Sequence, residues 1–305
     1  MIWRMMARHS IGITSYGMGE FLRAREHSEM AISLYDAERP LAFGAGNAGV
    51  ASLSVVAWTL WQLGYPDQAL KRSHEALVLA QGLPNPYNLA FAKLFVGILR
   101  QYRREARVPQ ENAESVIALS AEHGYSEFLA YATALRGWAM AKRGRSEEGI
   151  AQIQKGLAAS RATGAELWRP YFLCLLAESY VGTGRLDDGL GALTEARAAV
   201  DEHENRSYKA ETHRLKGELV LRQDDSNTAE AQSCFERAIA IARTQRGKSL
   251  ELRATVSLAR LLAKQGDRDE ARKMLADIYN PDFHFLSDYQ FGKMRRKLWG
   301  TWVWT

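Results

Sequence analysis

In the stretch EMAISLYDAERPLA, Ala31, Leu34 and Tyr35 recur at helical spacing and Pro40 closes the run. The stretch VASLSVVAWTLWQLGYPDQAL that follows is long, apolar and helix-like, interrupted only at the Gly-Tyr-Pro-Asp turn. Within these helical runs the small residues form a pattern of their own. Gly12, Gly19, Ala24 and Ala31 are spaced by 7, 5 and 7 positions. Ala57, Gly64, Ala69 and Ala76 repeat that spacing, as do Gly137, Gly144, Gly149 and Gly156, and again Ala177, Gly184, Gly189 and Ala196. Near the C-terminus Ala259, Gly266 and Ala271 keep the first three members, with Ile278 in the fourth place. A sixth copy runs from Gly217 to Ala231 and Ala238 through a turn two residues longer, and a degenerate copy is placed at Ala106 and Ala113.

The third members, at 24, 69, 106, 149, 189, 231 and 271, step by 37 to 45 residues, so each unit is a pair of helices joined by a tight turn. Helix axes that approach to about 8–10 Å need small side chains where they cross, which explains the first, third and fourth members. The glycine between them ends the first helix in a left-handed cap, a conformation costly for residues with a side chain. The cleanest unit is LLAESYVGTGRLDDGLGALTEA. These expectations amount to an all-α, right-handed superhelical solenoid of about seven helix pairs, in which each unit contacts only its neighbours.

Leu176, Ala177, Tyr180, Gly184, Gly189 and Ala196 in the fifth unit, with Ala231, Phe235 and Ala238 in the sixth, resemble the tetratricopeptide (TPR) repeat, at a period longer than its usual 34 residues. The phrases LGYPDQAL, RGWAMA, GAELWRPYFLCLLAESY, HRLKGELVL and KSLELRATVSLARLLAKQG look like the C-terminal TPR region of bacterial signalling proteins that join a class III adenylate or guanylate cyclase to a P-loop-type ATPase. That resemblance implies a regulatory or partner-binding module, for no G-x-x-x-x-G-K-[ST] and no cyclase portion is found in this chain. The repeat array is placed at 1–280, and a basic, Trp-rich tail at 281–305 departs from the family.

Composition narrows this further. The chain has 305 residues and a formal charge of +5, but 40 basic against 35 acidic residues describe a mixed surface and make no strong case for nucleic acid. Two cysteines, Cys174 and Cys234, in apolar helical stretches argue against a disulfide scaffold and fit a reducing cytoplasm. The N-terminus lacks a sustained apolar signal region, and no apolar run is long enough to span a bilayer. Catalytic signatures are poor. The seven histidines show no H-E-x-x-H or metal-ligand cluster, His203 in DEHEN reads as a solvated helix end, and no G-x-S-x-G elbow occurs. No cofactor or metal is expected.

Solenoids of this kind take ligands on the concave face, lined by the first helix of each unit. The register projects His9, Trp58, Trp61, Tyr131, Trp138, Tyr171, Glu178, Arg214, Glu218, Arg222, Arg253 and Arg260 inward, an aromatic half followed by a charged half. Aromatic and arginine side chains dominate binding energies, so a protein or peptide partner with an apolar end and an acidic or mixed-charge end suits this surface. The alternative for the tryptophans is packing between the lengthened helices. A second candidate, for a small anion, combines Gly46 and Gly49 with Arg169. Gly44, Gly46 and Gly49 match the dinucleotide fingerprint G-x-G-x-x-G, but a helix and a linker, not a strand, lead into them, so they read as an interhelical loop unless an anionic effector binds there. In the tail, Lys293, Arg295, Arg296 and Lys297 precede Trp299, Trp302 and Trp304, a composition suited to capping the last repeat or to contact with a membrane surface.

The function expected is therefore a non-catalytic scaffold or regulatory module in bacterial signal transduction. The alternative is a small-molecule or nucleotide-responsive sensor.

Overall fold

The computed structural model describes residues 2–36, 42–43 and 45–278. Among these, fourteen helices form seven antiparallel pairs: α1 (Ile2–Gly17) with α2 (Phe21–Ser33), α3 (Ala48–Leu63) with α4 (Pro66–Gln81), α5 (Pro86–Tyr102) with α6 (Arg107–His123), α7 (Ser126–Lys142) with α8 (Ser146–Ala162), α9 (Arg169–Val181) with α10 (Leu186–His203), α11 (Lys209–Gln223) with α12 (Thr228–Thr244), and α13 (Lys248–Gln265) with α14 (Arg268–Ile278). The pairs stack as a right-handed superhelix with the odd-numbered helices inside. A two-residue antiparallel ribbon, Ala42–Phe43 with Gly46–Asn47, interrupts the helices before α3.

The small-residue quartets lie where helices of a pair cross. Ala24, Ala31, Ala69, Ala76, Ala177, Ala196, Ala231, Ala238 and Ala271 are all buried. At the α7–α8 crossing a β-carbon on Gly137 would stand 2.5 Å from the Gly149 carbonyl oxygen, so the two backbones touch. The turn glycines Gly19, Gly64, Gly144, Gly184 and Gly266 all have positive φ, as a left-handed cap requires.

The third pair differs from its expected register. The quartet there is Gly97, Arg104, Pro109 and Val116, not one built on Ala106 and Ala113, and it keeps the spacing of 7, 5 and 7. Arg104 adopts φ 64°, the conformation its five counterparts reserve for glycine. A bulky residue there costs of order 1 kcal/mol and is held only where surrounding contacts over-determine it.

The expectation that each unit touches only its neighbours also needs correcting. The Gly17 carbonyl accepts hydrogen bonds from the backbone of Arg206 (2.8 Å) and Ser207 (3.0 Å) in the α10–α11 connection. Ser249 on α13 donates to the Trp61 carbonyl of α3, and Phe21 packs beside Gly247. The superhelix has thus turned far enough for its first pairs to meet the fifth, sixth and seventh. Helix α3, packed by α1, α2, α4, α5 and α13, is consequently buried along its whole length, which its all-round apolar sequence matches.

One polar contact inside this closed end has a measurable consequence. His9 on α1 is buried and its Nδ1 lies 3.0 Å from Ser52 Oγ on α3. Burial pulls its pKa down to about 4 from 6.5. The unfolded chain therefore binds a proton that the folded chain refuses. This contribution is fully present above pH 6.5 and is lost progressively as pH falls towards 4. Between pH 7 and pH 5 the loss from this group is expected to be roughly 2 kcal/mol. Urea unfolding of the wild type and of His9→Gln at both pH values checks this, the variant losing less by that amount.

Candidate functional site

The inner helices carry the two halves that the register projects, but only one half is open. Trp58 stacks on Phe95 (ring centroids 3.9 Å, planes 8° apart), donates from Nε1 to the Phe95 carbonyl (3.0 Å), and meets Trp168 edge-on at 5.0 Å. Tyr131 stacks on Phe172 and donates to the Ala165 carbonyl. Tyr171 donates to Gln101 Oε1 at 3.1 Å and packs against Tyr102 and Tyr208. Trp138 is fully buried, and Trp61 is buried beside α13. The aromatic half of the projected groove is therefore core. Among the described residues these rings pack against one another between the inner helices and leave little surface to a ligand.

The charged half opens at the other end of the axis, where α7, α9, α11, α13 and the α5–α6 turn converge. Glu178 on α9 is paired with Arg104, whose Nη1 lies 2.9 Å from Oε2, and with Lys142. Burial pushes the Glu178 carboxyl up, but Arg104 and Lys142 outweigh it and hold the group well below the usual carboxylate range. The Arg104 guanidinium also lies 5.7 Å from the Trp138 ring centroid, and the Trp138 indole donates to Glu178 (3.4 Å). One helix further on, Glu211 accepts two bonds from Arg214 (2.7 and 3.0 Å) and one from Arg253 (2.8 Å). Glu218 accepts from Arg214 (3.2 Å) and from Ser257 Oγ (2.6 Å). Arg222 is exposed one turn beyond, and Arg260 is exposed on α13, near enough to Glu218 to feel its charge. Between these groups lies a cavity of about 330 Å³, lined by Arg104, Lys142, Glu178, Arg214, Glu218 and Arg222 with Leu215 and Val181. Beside the Arg104–Glu178 pair a small, partly open hollow of about 30 Å³ is lined by Gln62, Tyr102, Tyr171 and Tyr208, large enough for a water molecule.

The second candidate is not assembled. Gly49 and Val50 donate their amides to Asn47 Oδ1 (2.9 and 3.2 Å), which caps α3, so the donors an anion would need are taken. Gly46 packs under Tyr87 and Gly49 under Tyr35. Arg169 instead pairs with Glu166 and Glu195 and lines an outer hollow among α8, α9 and α10. Gly44 and the tail, with its basic residues and tryptophans, lie outside the described residues.

Sequence reasoning missed Arg104, Lys142 and Glu211. Arg104 was legible in principle, because Gly97 and Pro109 frame it at the repeat spacing. The alanines at 106 and 113 drew the register three residues away. Lys142 and Glu211 lie at the last and first turns of their helices, Lys142 reaching Glu178 of the next unit and Glu211 reaching Arg214 on its own helix and Arg253 of the next unit.

Comparison with known proteins agrees with this architecture. Residues 252–277 match the tetratricopeptide repeat family model. A Rap protein solved in complex with competence and sporulation factor is 14% identical, covers 96% of this chain and 81% of its own, and superposes with a TM-score of 0.66. The Rap conjugation gene regulator of plasmid pLS20, solved in complex with the Phr* peptide, also gives a TM-score of 0.66, at 10% identity over 95% of this chain and 74% of its own. At these identities the likeness is one of fold. Among curated proteins, an uncharacterized protein of Rhizobium meliloti (strain 1021) is 24% identical over 265 residues, 85% of this chain. The chain spans about a quarter of that relative's length. Among the described residues no helix is long and apolar enough to cross a membrane, and no group of three or more His, Cys, Asp or Glu is placed to hold a metal.

Proposed function

We propose that this protein is a non-catalytic TPR-like module that binds a protein or peptide partner at the charged opening of its axis and serves regulation in bacterial signal transduction. The observation that carries the reading is the assembly of Arg104, Lys142, Glu178, Arg214, Glu218 and Arg222 from consecutive units around one cavity, while the projected aromatic residues Trp58, Trp61, Tyr131, Trp138 and Tyr171 are buried. Buried ion pairs of this kind add little net stability over apolar packing, so their presence at an opening supports a role in recognition. The two Rap structures with bound ligands, one of them a peptide, support the same use of the fold. Because the aromatic half is closed, a partner docks by inserting a short segment into the opening and does not thread along the axis. The resemblance to cyclase- and ATPase-linked TPR regions supports a place within a larger cytoplasmic signalling protein, and so does the much longer curated relative.

A peptide panel titrated against the full chain tests this. Binders are expected, and Arg222→Ala and Glu218→Ala, both at accessible positions, are expected to weaken them by about tenfold each, the scale of a hot-spot contact. The second reading, a sensor for a small molecule or nucleotide, is favoured by the cavity size, which lies at the lower end for small-ligand pockets. A panel without binders, together with a raised melting temperature in the presence of nucleotides or metabolites, would decide for it.

A further inference from the structure

The ion pairs at the opening do not balance. Glu178 is shared by two cations, Arg104 and Lys142, and Glu211 is likewise shared by Arg214 and Arg253. Glu218 adds a third carboxylate, already engaged by Arg214 and Ser257. Arg222 completes the rim and makes no hydrogen bond or ion pair among the described residues. Five cations thus face three carboxylates. Side-chain exposures of 10% for Arg214, 29% for Arg253, 35% for Arg104 and 36% for Lys142 leave the paired cations only partly hydrated, while Arg222 is exposed at the rim. An excess of positive charge around an open cavity with partly desolvated walls focuses a positive potential there, which favours an anion. Arg104 sharpens the point, since a left-handed turn served by glycine in five sister units here carries a guanidinium aimed at the cavity.

We propose that this opening is a polycarboxylate site, in which Arg104, Lys142, Arg214 and Arg222 receive two or more closely spaced carboxylates. The proposal rests on the partner-binding reading above and names the chemistry recognised. The carboxylates come from neighbouring acidic side chains of a partner segment or from a free polycarboxylate. The forks of Arg214 and Arg104 are already held by Glu211 and Glu178, so an incoming carboxylate takes its donors from Arg222 and from the hydrogens that Lys142 has left, and shares the field of the two paired guanidinium groups. The site's donors come from the third, fourth and sixth units, so an occupant ties these units together.

Isothermal titration of the full chain at low salt with hexaglutamate and, separately, with citrate tests the site. Saturable binding of at least one is expected, weakened tenfold or more in Arg222→Gln and in Arg104→Gly, whose backbone conformation glycine accepts, and unchanged in Arg197→Gln on the exposed side of α10. Tighter binding of hexaglutamate assigns the carboxylates to a partner segment, and tighter binding of citrate to a free anion. The site is overturned if neither binds, if Arg197→Gln weakens binding as much as Arg222→Gln, or if inorganic pyrophosphate binds more tightly than both. A peptide partner that binds but is not displaced by hexaglutamate also overturns it while leaving the partner-binding reading intact. Citrate binding with no peptide partner does the reverse.

Discussion

Gly149→Ala is expected to lower the melting temperature by roughly 5 °C or more, the largest effect of any single methyl group added to the described helices. Within a helix alanine is intrinsically better than glycine by about 1 kcal/mol, so propensity alone predicts stabilisation. Sterics decide otherwise. The added β-carbon would fall on the Gly137 carbonyl oxygen and stand 2.8 Å from both the β-carbon and the backbone nitrogen of Ala141. Neither backbone can yield without separating α7 from α8 along their length, and overpacking of this kind costs about 3 kcal/mol or more. Gly191→Ala is the matched control. It lies on the exposed side of α10, where a β-carbon meets nothing within 4 Å, and the same substitution there is expected to stabilise by about 1 kcal/mol. Opposite signs in thermal or urea unfolding would establish that the quartets are backbone contacts. Two equal shifts would mean that the pairs cross less closely than the structure shows.

The same contrast explains what was legible in the chain. The glycine and alanine quartets are read off directly because close crossing favours small side chains, and they locate six of the seven pairs. At the third pair Pro109 and Val116 take the small-residue places and Arg104 takes the glycine place, so the register was lost where the departure carries chemistry. The inward projection of Trp58, Trp138 and Tyr171 was sound as geometry. Whether an inward face is a groove or a core depends on the pitch of the stack, and pitch is set by contacts such as Gly17 with Arg206 and Ser207, which lie almost 190 residues apart. No local pattern encodes that closure. The charged half was legible because arginine and glutamate at helical spacing on α11 remain near the opening, whatever the pitch. Its pairing partners Lys142 and Glu211 were not, since Lys142 belongs to another unit's helix end and Glu211 sits in the first turn of α11, where an acid reads as a complement to the helix dipole.

Glu211→Gln should be among the most destabilising polar substitutions in the protein, costing about 3–5 kcal/mol, because it leaves Arg253 without an ion pair and takes one of two from Arg214. Its carboxylate is the common acceptor for Arg214 and Arg253, and only 6% of the side chain is exposed. Arg214 keeps Glu218, but Arg253 has no other ion pair among the described residues, and burial already pulls its guanidinium down to about 10. Burial pushes the Glu211 carboxyl up, yet Arg214 and Arg253 overrule it and hold the group below its ordinary range. The stability this supplies is therefore complete above the unfolded carboxylate value and disappears as pH falls through the lower folded one, so acid should destabilise the wild type more steeply than the variant. A combined variant separates the lost pairs from the stranded charge: Glu211→Met with Arg214→Met and Arg253→Met should recover much of the loss, since apolar packing replaces both pairs without an orphaned guanidinium. Recovery of stability in the combined variant without recovery of hexaglutamate or citrate binding would show that the charges are kept for recognition. If the combined variant were as unstable as Glu211→Gln, the network would have to be counted as part of what holds the superhelix closed.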